Sequence, residues 1–301
     1  RLGGRVLTNR GGPLPADDGG QFINGDHADI LALAQEYHLD LIDRSPFRAS
    51  SIAVSGGAIV PEAQWVAGLR RIVRQIATDA ALLDADMATH APRFDAMSVT
   101  QYLDRHARLL RNRHSRALLE AGLRTEFGQD PGEASAIELL FNLPTPKGDG
   151  IELIGSSDER YVFAGGSGRL TDALIAEVGG WCTQGKALAA VRPIEGGVEL
   201  HFADGSSIEA AQAIITVPAP LMRTIDYGGL LPTPWQAYVA EAECGRNEKL
   251  NAVYHGRPWE ETMGPAGNLW PDTTFAECWD ATTAPADVSL MTFFMGGRQC
   301  A

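Results

Sequence analysis

The feature that most restricts the fold is a change of hydrophobic period along the chain. From residue 64 to residue 127 apolar side chains recur at helical spacing, and beyond Pro144 and Pro146 they recur at the spacing of strands. Trp65, Val66, Leu69, Ile72, Val73 and Ile76 fall on one helical face, while Arg70, Arg71 and Arg74 project elsewhere as a solvated face. Ser98 and Gln101 have capping-box spacing ahead of Val99, Tyr102 and Leu103, and a further helix is expected over 115–127. Residues 45–143 therefore read as mainly helical. Short strands are expected at 151–154 and 160–163. A hairpin is expected where alternating 198–202 meets Asp204-Gly205 and then 207–210. The run 213–217 is continuously apolar and stops at Pro218, as a buried strand does, and two more strands are expected at 250–254 and 288–295. The class is α/β in the mixed α+β sense, a helical block set between two β-rich parts.

Length and charge narrow the function. The 301 residues leave room for two domains. With 25 basic against 38 acidic residues the net charge is −13, which argues against a nucleic-acid partner. No apolar run approaches the roughly 18–20 residues that span a bilayer, so no membrane span is expected. The chain reads as soluble, without a choice between cytoplasm and periplasm. Cys182, Cys244, Cys278 and Cys300 are scattered, with no CxxC, and the seven histidines form no HExxH, so neither a disulfide framework nor a metal site is expected. A P-loop and a GxSxG elbow are missing, and Gly166-Ser167-Gly168 starts a GxGxxG without finishing it.

Glycine punctuates the opening. Gly3, Gly4, Gly11, Gly12, Gly19 and Gly20 fall within twenty residues, so this stretch is expected to run as turns and short extended pieces passing close to another backbone or a ligand. Asp26 then reads as the N-cap of a helix through Ile30, Leu31 and Leu33 to about Tyr37, with His27 a helix-start residue.

Arg1-Leu2-Gly3-Gly4-Arg5, with Thr8 following, resembles the RxGGRxxT segment of the flavin-containing amine oxidases, the family of monoamine, polyamine and L-amino-acid oxidases. Four further segments resemble that family in the same order. These are Asp18-Gly19-Gly20-Gln21-Phe22; Phe163 with Gly165, Gly166 and Gly168; the stretch from Leu188 through Asp204-Gly205 to Pro218; and Lys249 followed by Tyr254 and Pro258-Trp259. The resemblance implies a two-domain architecture, with 1–44 and 163–222 as pieces of the FAD-binding domain and 45–162 and 223–301 as the substrate domain. It also implies that the dinucleotide fingerprint precedes Arg1 and that the segment closing over the flavin follows Ala301. The chain is then the middle of a longer protein that holds FAD, and by itself is expected to hold it weakly or not at all.

The residues carried over are few. Lys249 matches the lysine that holds a water against the flavin N5, and is the catalytic candidate. Arg1, Gly3, Gly4, Arg5, Gly19, Gly20, Gln21 and Phe22 would lie along the cofactor, together with Leu188, whose counterpart meets the adenine, and Pro218. Each has a plainer alternative: a surface arginine, a turn glycine, a strand-end leucine, a strand terminator, a solvent-facing lysine. Trp259 and Trp270 read as packing aromatics. The implied reaction is FAD-dependent oxidation of an amine or amino acid with O2 as acceptor, giving an imine, its hydrolysis products and H2O2, and a homodimer remains open. The glycine segments leave two alternatives: a related desaturase or dehydroxylase, and a catalytically silent module.

Overall fold

The computed structural model describes residues 2–45, 52–110, 112–142, 144–147, 150–152, 157–263, 268–272, 274–284 and 286–300. It divides into two compact units. One comprises 3–174 with 245–301; the other comprises the first residues of the chain with 175–244, the boundary falling within the helix Gly168–Val178.

The larger unit is built on a six-stranded mixed sheet. Its order is Asn247–His255, Val288–Gly296, Glu277–Asp280, Leu269–Pro271, Ile52–Ser55, Ala58–Val60. All neighbours pair antiparallel except Leu269–Pro271 with Ile52–Ser55, which run parallel. The helical block packs on the Ile52–Ser55 side, where Ala53, Val60 and Trp270 join a core made by Leu69, Ile72, Tyr102, Leu103, Leu123 and Leu139. The expected helix around 64–76 is part of a longer one, Glu62–Ala85, and its six apolar positions are all buried. At Ser98 the capping box is complete: the Gln101 N–H donates to the serine hydroxyl and the glutamine oxygen accepts from the Ser98 N–H, starting the helix Val99–Arg105.

The 45–143 region is mainly helical as expected, and it also holds a hairpin, Ile52–Ser55 with Ala58–Val60, whose few residues are too short to show a period. Two expectations need correction. Asp26 does not cap the first helix, Ala28–Glu36; His27 holds the N-cap position with no side-chain cap bond, its Nδ1 accepting instead from the Asn24 N–H. The apolar run 213–217 forms no strand, and Ile214 is 92% exposed, since no neighbouring strand among the described residues pairs with it. The strand expected at 151–154 is seen as Gly150–Glu152, with 153–156 outside the described residues.

The smaller unit carries the three-stranded antiparallel sheet Ser207–Ala210, Gly197–Phe202, Leu188–Ile194, with the expected hairpin turning at Gly205. Its buried apolar residues are Val191, Ile225 and Val239, whereas Trp181, Ile208, Leu221, Trp235 and Tyr238 are exposed.

Candidate active site around Lys249

The glycine-rich opening folds back on itself. Thr8 and Asn9 pair antiparallel with Asp17 and Ala16. The turn that follows is laced to the first strand: the Asp18 and Gly19 N–H groups donate to the Leu7 carbonyl at 2.9 and 3.2 Å, and the Gly20 N–H to the Arg5 carbonyl at 3.1 Å. That lacing is why residue 19 is glycine, for a Cβ there would sit 2.0 Å from the Arg5 oxygen. At Gly20 nothing lies within 4 Å of where a Cβ would be, so its peptide faces open space. Gly3 and Gly4 both hold positive φ, +88° and +52°, and the Gly4 position is likewise open.

The buried Asp17 carboxylate closes the far side of this hairpin. It accepts the Ser167 N–H at 3.0 Å and the Thr8 hydroxyl, while Thr8 Oγ1 accepts the Gly168 N–H at 2.7 Å. These amides lie at the N-terminal end of the helix Gly168–Val178, Ser167 just before it and Gly168 its first residue, so a carboxylate sits where the helix dipole is positive. The glycine turn at 165–168 is therefore sealed by the chain's own side chains, and Gly166 leaves room for Thr8, whose Cγ2 would be 2.4 Å from a Cβ there.

The strand Asn247–His255 delivers the lysine. Its alternation puts Lys249 and Asn251 on one face, opposite Phe294 and Thr292, with Trp279 paired to Thr292 on the next strand. Lys249 Nζ donates to the Asp17 carbonyl at 3.1 Å, the Gly19 carbonyl at 2.7 Å and Gln21 Oε1 at 3.4 Å. The Trp279 and Phe294 ring centroids stand 5.7 and 5.9 Å from the same nitrogen. Asn251 reinforces the dock by donating to Asp18 Oδ1 at 2.9 Å and accepting from the Thr292 hydroxyl at 2.7 Å. Phe22 packs on Trp279 with centroids 5.1 Å apart, and the Arg44 guanidinium lies 4.3 Å from the Phe22 centroid.

Burial pushes the Lys249 ammonium down from 10.5 to about 8, against the pull of Asp17, Asp18 and Glu159. The result is a titratable cation on an aromatic floor beside the bare Gly20 peptide. This set of groups fits a flat heteroaromatic ring that accepts electrons: peptide faces without side chains admit close approach, aromatic rings exclude water, and one cation supplies positive charge.

The sequence-named residues separate clearly. Lys249, Gly19, Gly20, Gln21 and Phe22 come together, with Gly3, Gly4 and Arg5 in the adjoining turn. The Gly19 contacts are with Arg5 and Leu7 of its own hairpin. The Arg5 side chain is exposed and makes no hydrogen bond or ion pair among the described residues, and Arg1 lies outside them. Leu188 and Pro218 belong to the smaller unit: Leu188, half-buried, pairs with Phe202, and the exposed Pro218 precedes the short helix Ala219–Met222. Sequence reasoning missed Asp17, Trp279 and Phe294. Trp279 lies in a four-residue strand that carries no period, and the closeness of Phe294 to Lys249 depends on a cross-strand register. Trp259 and Trp270 are both buried, Trp259 edge-on to Tyr254 with centroids 5.5 Å apart. Among the described residues no group of His, Cys, Asp and Glu could hold a metal ion, and no helix is long and apolar enough to cross a membrane.

Comparison with known proteins bears on the family and the fold. The chain is 25% identical over 286 residues to "Putative flavin-containing monoamine oxidase AofH" of Mycobacterium tuberculosis, covering 90% of this chain and 61% of that protein. It is 21% identical over 258 residues to the nicotine dehydrogenase of Pseudomonas putida, covering 83% of this chain and 53% of that one. The chain thus spans between about half and just under two thirds of the length of these curated relatives. Wild-type putrescine oxidase bound to putrescine shares the fold, with a TM-score of 0.81 at 18% identity over 99% of this chain and 69% of that one. So does cyclohexylamine oxidase from Brevibacterium oxydans, with a TM-score of 0.82 at 20% identity over 99% of this chain and 68% of that one. The family model for flavin containing amine oxidoreductases matches residues 1–300, and the chain belongs to that family.

Proposed function

We propose that the protein carrying this chain is an FAD-dependent amine oxidase that uses O2 and releases H2O2. The observation that carries the reading is Lys249 Nζ, held by the Asp17 and Gly19 carbonyls and Gln21 over the Trp279 and Phe294 rings. FAD, when bound, would supply the redox chemistry as the hydride acceptor for a carbon bearing an amine. Gly20, Gly4, Gln21 and Phe22 are the residues that would lie along it. The name of the putrescine-bound neighbour supports a small aliphatic amine as substrate, and the nicotine dehydrogenase relative makes the electron acceptor the point to test.

The chain's own part is electrostatic. An ammonium in a site of low dielectric stabilises negative charge developing on dioxygen, and the aromatic floor keeps bulk water from screening it. The amine substrate must be uncharged to react, so substrate oxidation gains with pH. Dioxygen reduction loses the ammonium as pH rises past about 8 and slows there. The two half-reactions therefore have opposite pH slopes.

The test uses the protein expressed from its full reading frame and loaded with FAD. Adding a primary amine anaerobically should bleach the flavin, and oxygen should restore the colour with one H2O2 per turnover. Lys249→Met should slow the oxygen step about a hundredfold, the scale of one lost preorganised donor, while sparing the bleaching step more. Bleaching without peroxide would assign a different acceptor, and no bleaching with any amine would remove the oxidase reading.

A further inference from the structure

Lys249 raises a question of hydrogen-bond accounting. An ammonium has three N–H donors and no acceptor. All three have a partner here: two backbone carbonyls at 3.1 and 2.7 Å, fixed by the hairpin, and the Gln21 amide oxygen at 3.4 Å. None remains for a water or dioxygen unless one contact yields. The carbonyls belong to a backbone laced by the Asp18, Gly19 and Gly20 amides and cannot turn away. The Gln21 side chain can, because it hangs on rotatable bonds and makes the longest of the three contacts. It is 93% buried in effect, with 7% of its surface exposed, and among the described residues its Nε2 donates to nothing.

We propose that Gln21 is a positioning residue that sets the charge and the free N–H of Lys249 through rotation of its amide. With the oxygen toward Nζ, the amide completes a three-acceptor cup and favours the ammonium. With the NH2 turned toward Nζ, it donates to the lone pair of the neutral amine, whose two N–H groups still reach the Asp17 and Gly19 carbonyls. Swung aside, it releases the third N–H to a small molecule. Each arrangement matches donors to acceptors, which a buried site requires.

The charged groups around Nζ are Asp17 and Asp18 in the hairpin, Glu159 from the loop before the strand Tyr161–Phe163, and Glu277 on the same sheet face, paired with Phe294. Arg44 approaches from the far side of Phe22. Asp17 and Asp18 are tied to Ser167 and Asn251. Gln21 is the neutral member of this shell and the one free to reorient.

Within residues 1–301 the lysines are few, Lys147, Lys186 and Lys249, and a single substitution assigns the one that matters. The protein expressed from its full reading frame and labelled with 13Cε-lysine gives one signal per lysine, and the signal lost in Lys249→Met is that of Lys249. Titration by NMR, without cofactor or substrate, reads the lysine directly. Gln21→Glu adds charge to the cup and should raise the Lys249 midpoint by about one pH unit; Gln21→Met keeps the volume, removes the acceptor and should lower it by about half a unit to one unit. Opposite shifts support the proposal. Midpoints that stay at the wild-type value in both variants, or move the same way in both, overturn it; should one variant fail to fold, the other decides by its sign. The functional consequence rests on the oxidase reading, but the titration is independent of turnover, so failure of one is distinguishable from failure of the other.

Discussion

At the scale of single residues, Lys249 is the position where two opposing effects meet. Desolvation favours the neutral amine, while three oxygen acceptors and the acidic neighbours favour the ammonium, and desolvation wins by pulling it from 10.5 to about 8. The consequence for stability has a definite sign. Between pH 8 and 10.5 the unfolded chain holds the proton and the folded chain does not, so folding gains as pH rises through that window and is flat below it. Comparing wild type with Lys249→Met cancels the other titrations. The unfolding free energy of wild type relative to the variant should rise by on the order of 3 kcal/mol from pH 8 to pH 10.5, measured by urea denaturation at each pH. A flat difference would mean that the lysine is solvated.

At the scale of elements, the site is an opening hairpin docked on the edge strand Asn247–His255, and its two adjacent glycines do different work. Gly19 is required by the hairpin itself; Gly20 is not required by anything in the chain. Gly19→Ala should therefore cost about 3 kcal/mol or more, because its Cβ meets a backbone oxygen that cannot move without breaking the lacing. Gly20→Ala should cost under about 1 kcal/mol, since its Cβ enters open space, yet it should weaken flavin binding at least tenfold if that space is the cofactor's. Thermal unfolding and flavin fluorescence titration separate the two outcomes. Equal loss of stability in both variants would show that Gly20 is merely another turn glycine. The hairpin also explains Asp17, whose side chain occupies the helix N-terminus at 167–168 while its carbonyl receives the lysine, so one residue ties two elements to the site.

At the scale of the whole molecule, the apolar burial is unevenly shared. The larger unit encloses the fully buried Leu69, Ile72, Ile76, Tyr102, Leu103 and Leu123, whereas the buried apolar residues of 175–244 are Val191, Ile225 and Val239. Local opening free energy follows such burial. Amide hydrogen exchange of the chain should accordingly run at least tenfold faster across the sheet of 188–210 than along the helix Glu62–Ala85, read by mass spectrometry of peptides from the two regions. Equal protection would mean that the smaller unit draws stability from contacts outside its own core. The net charge of −13 adds self-repulsion that salt screens, so added NaCl is a useful control in that experiment.

Much of this was legible without coordinates, and the reason is local. Ser98 and Gln101 meet within one helical turn, the hairpin around Gly205 within one turn, and the apolar face of Glu62–Ala85 repeats every few residues; each of these patterns is written in neighbouring positions. The ordered glycine segments and Lys249 likewise named the family. What the tertiary structure alone decided lies across the chain. Nothing near residue 249 announces that its nitrogen will rest on carbonyls 230 and 232 residues away, or that Trp279 and Phe294 will form the floor beneath it. Nor does the apolar run 213–217 reveal that it lacks a strand to pair with. Short-range order follows from backbone geometry and spacing, but a site depends on register and on which surfaces find partners, and those are settled by the packing of the whole chain.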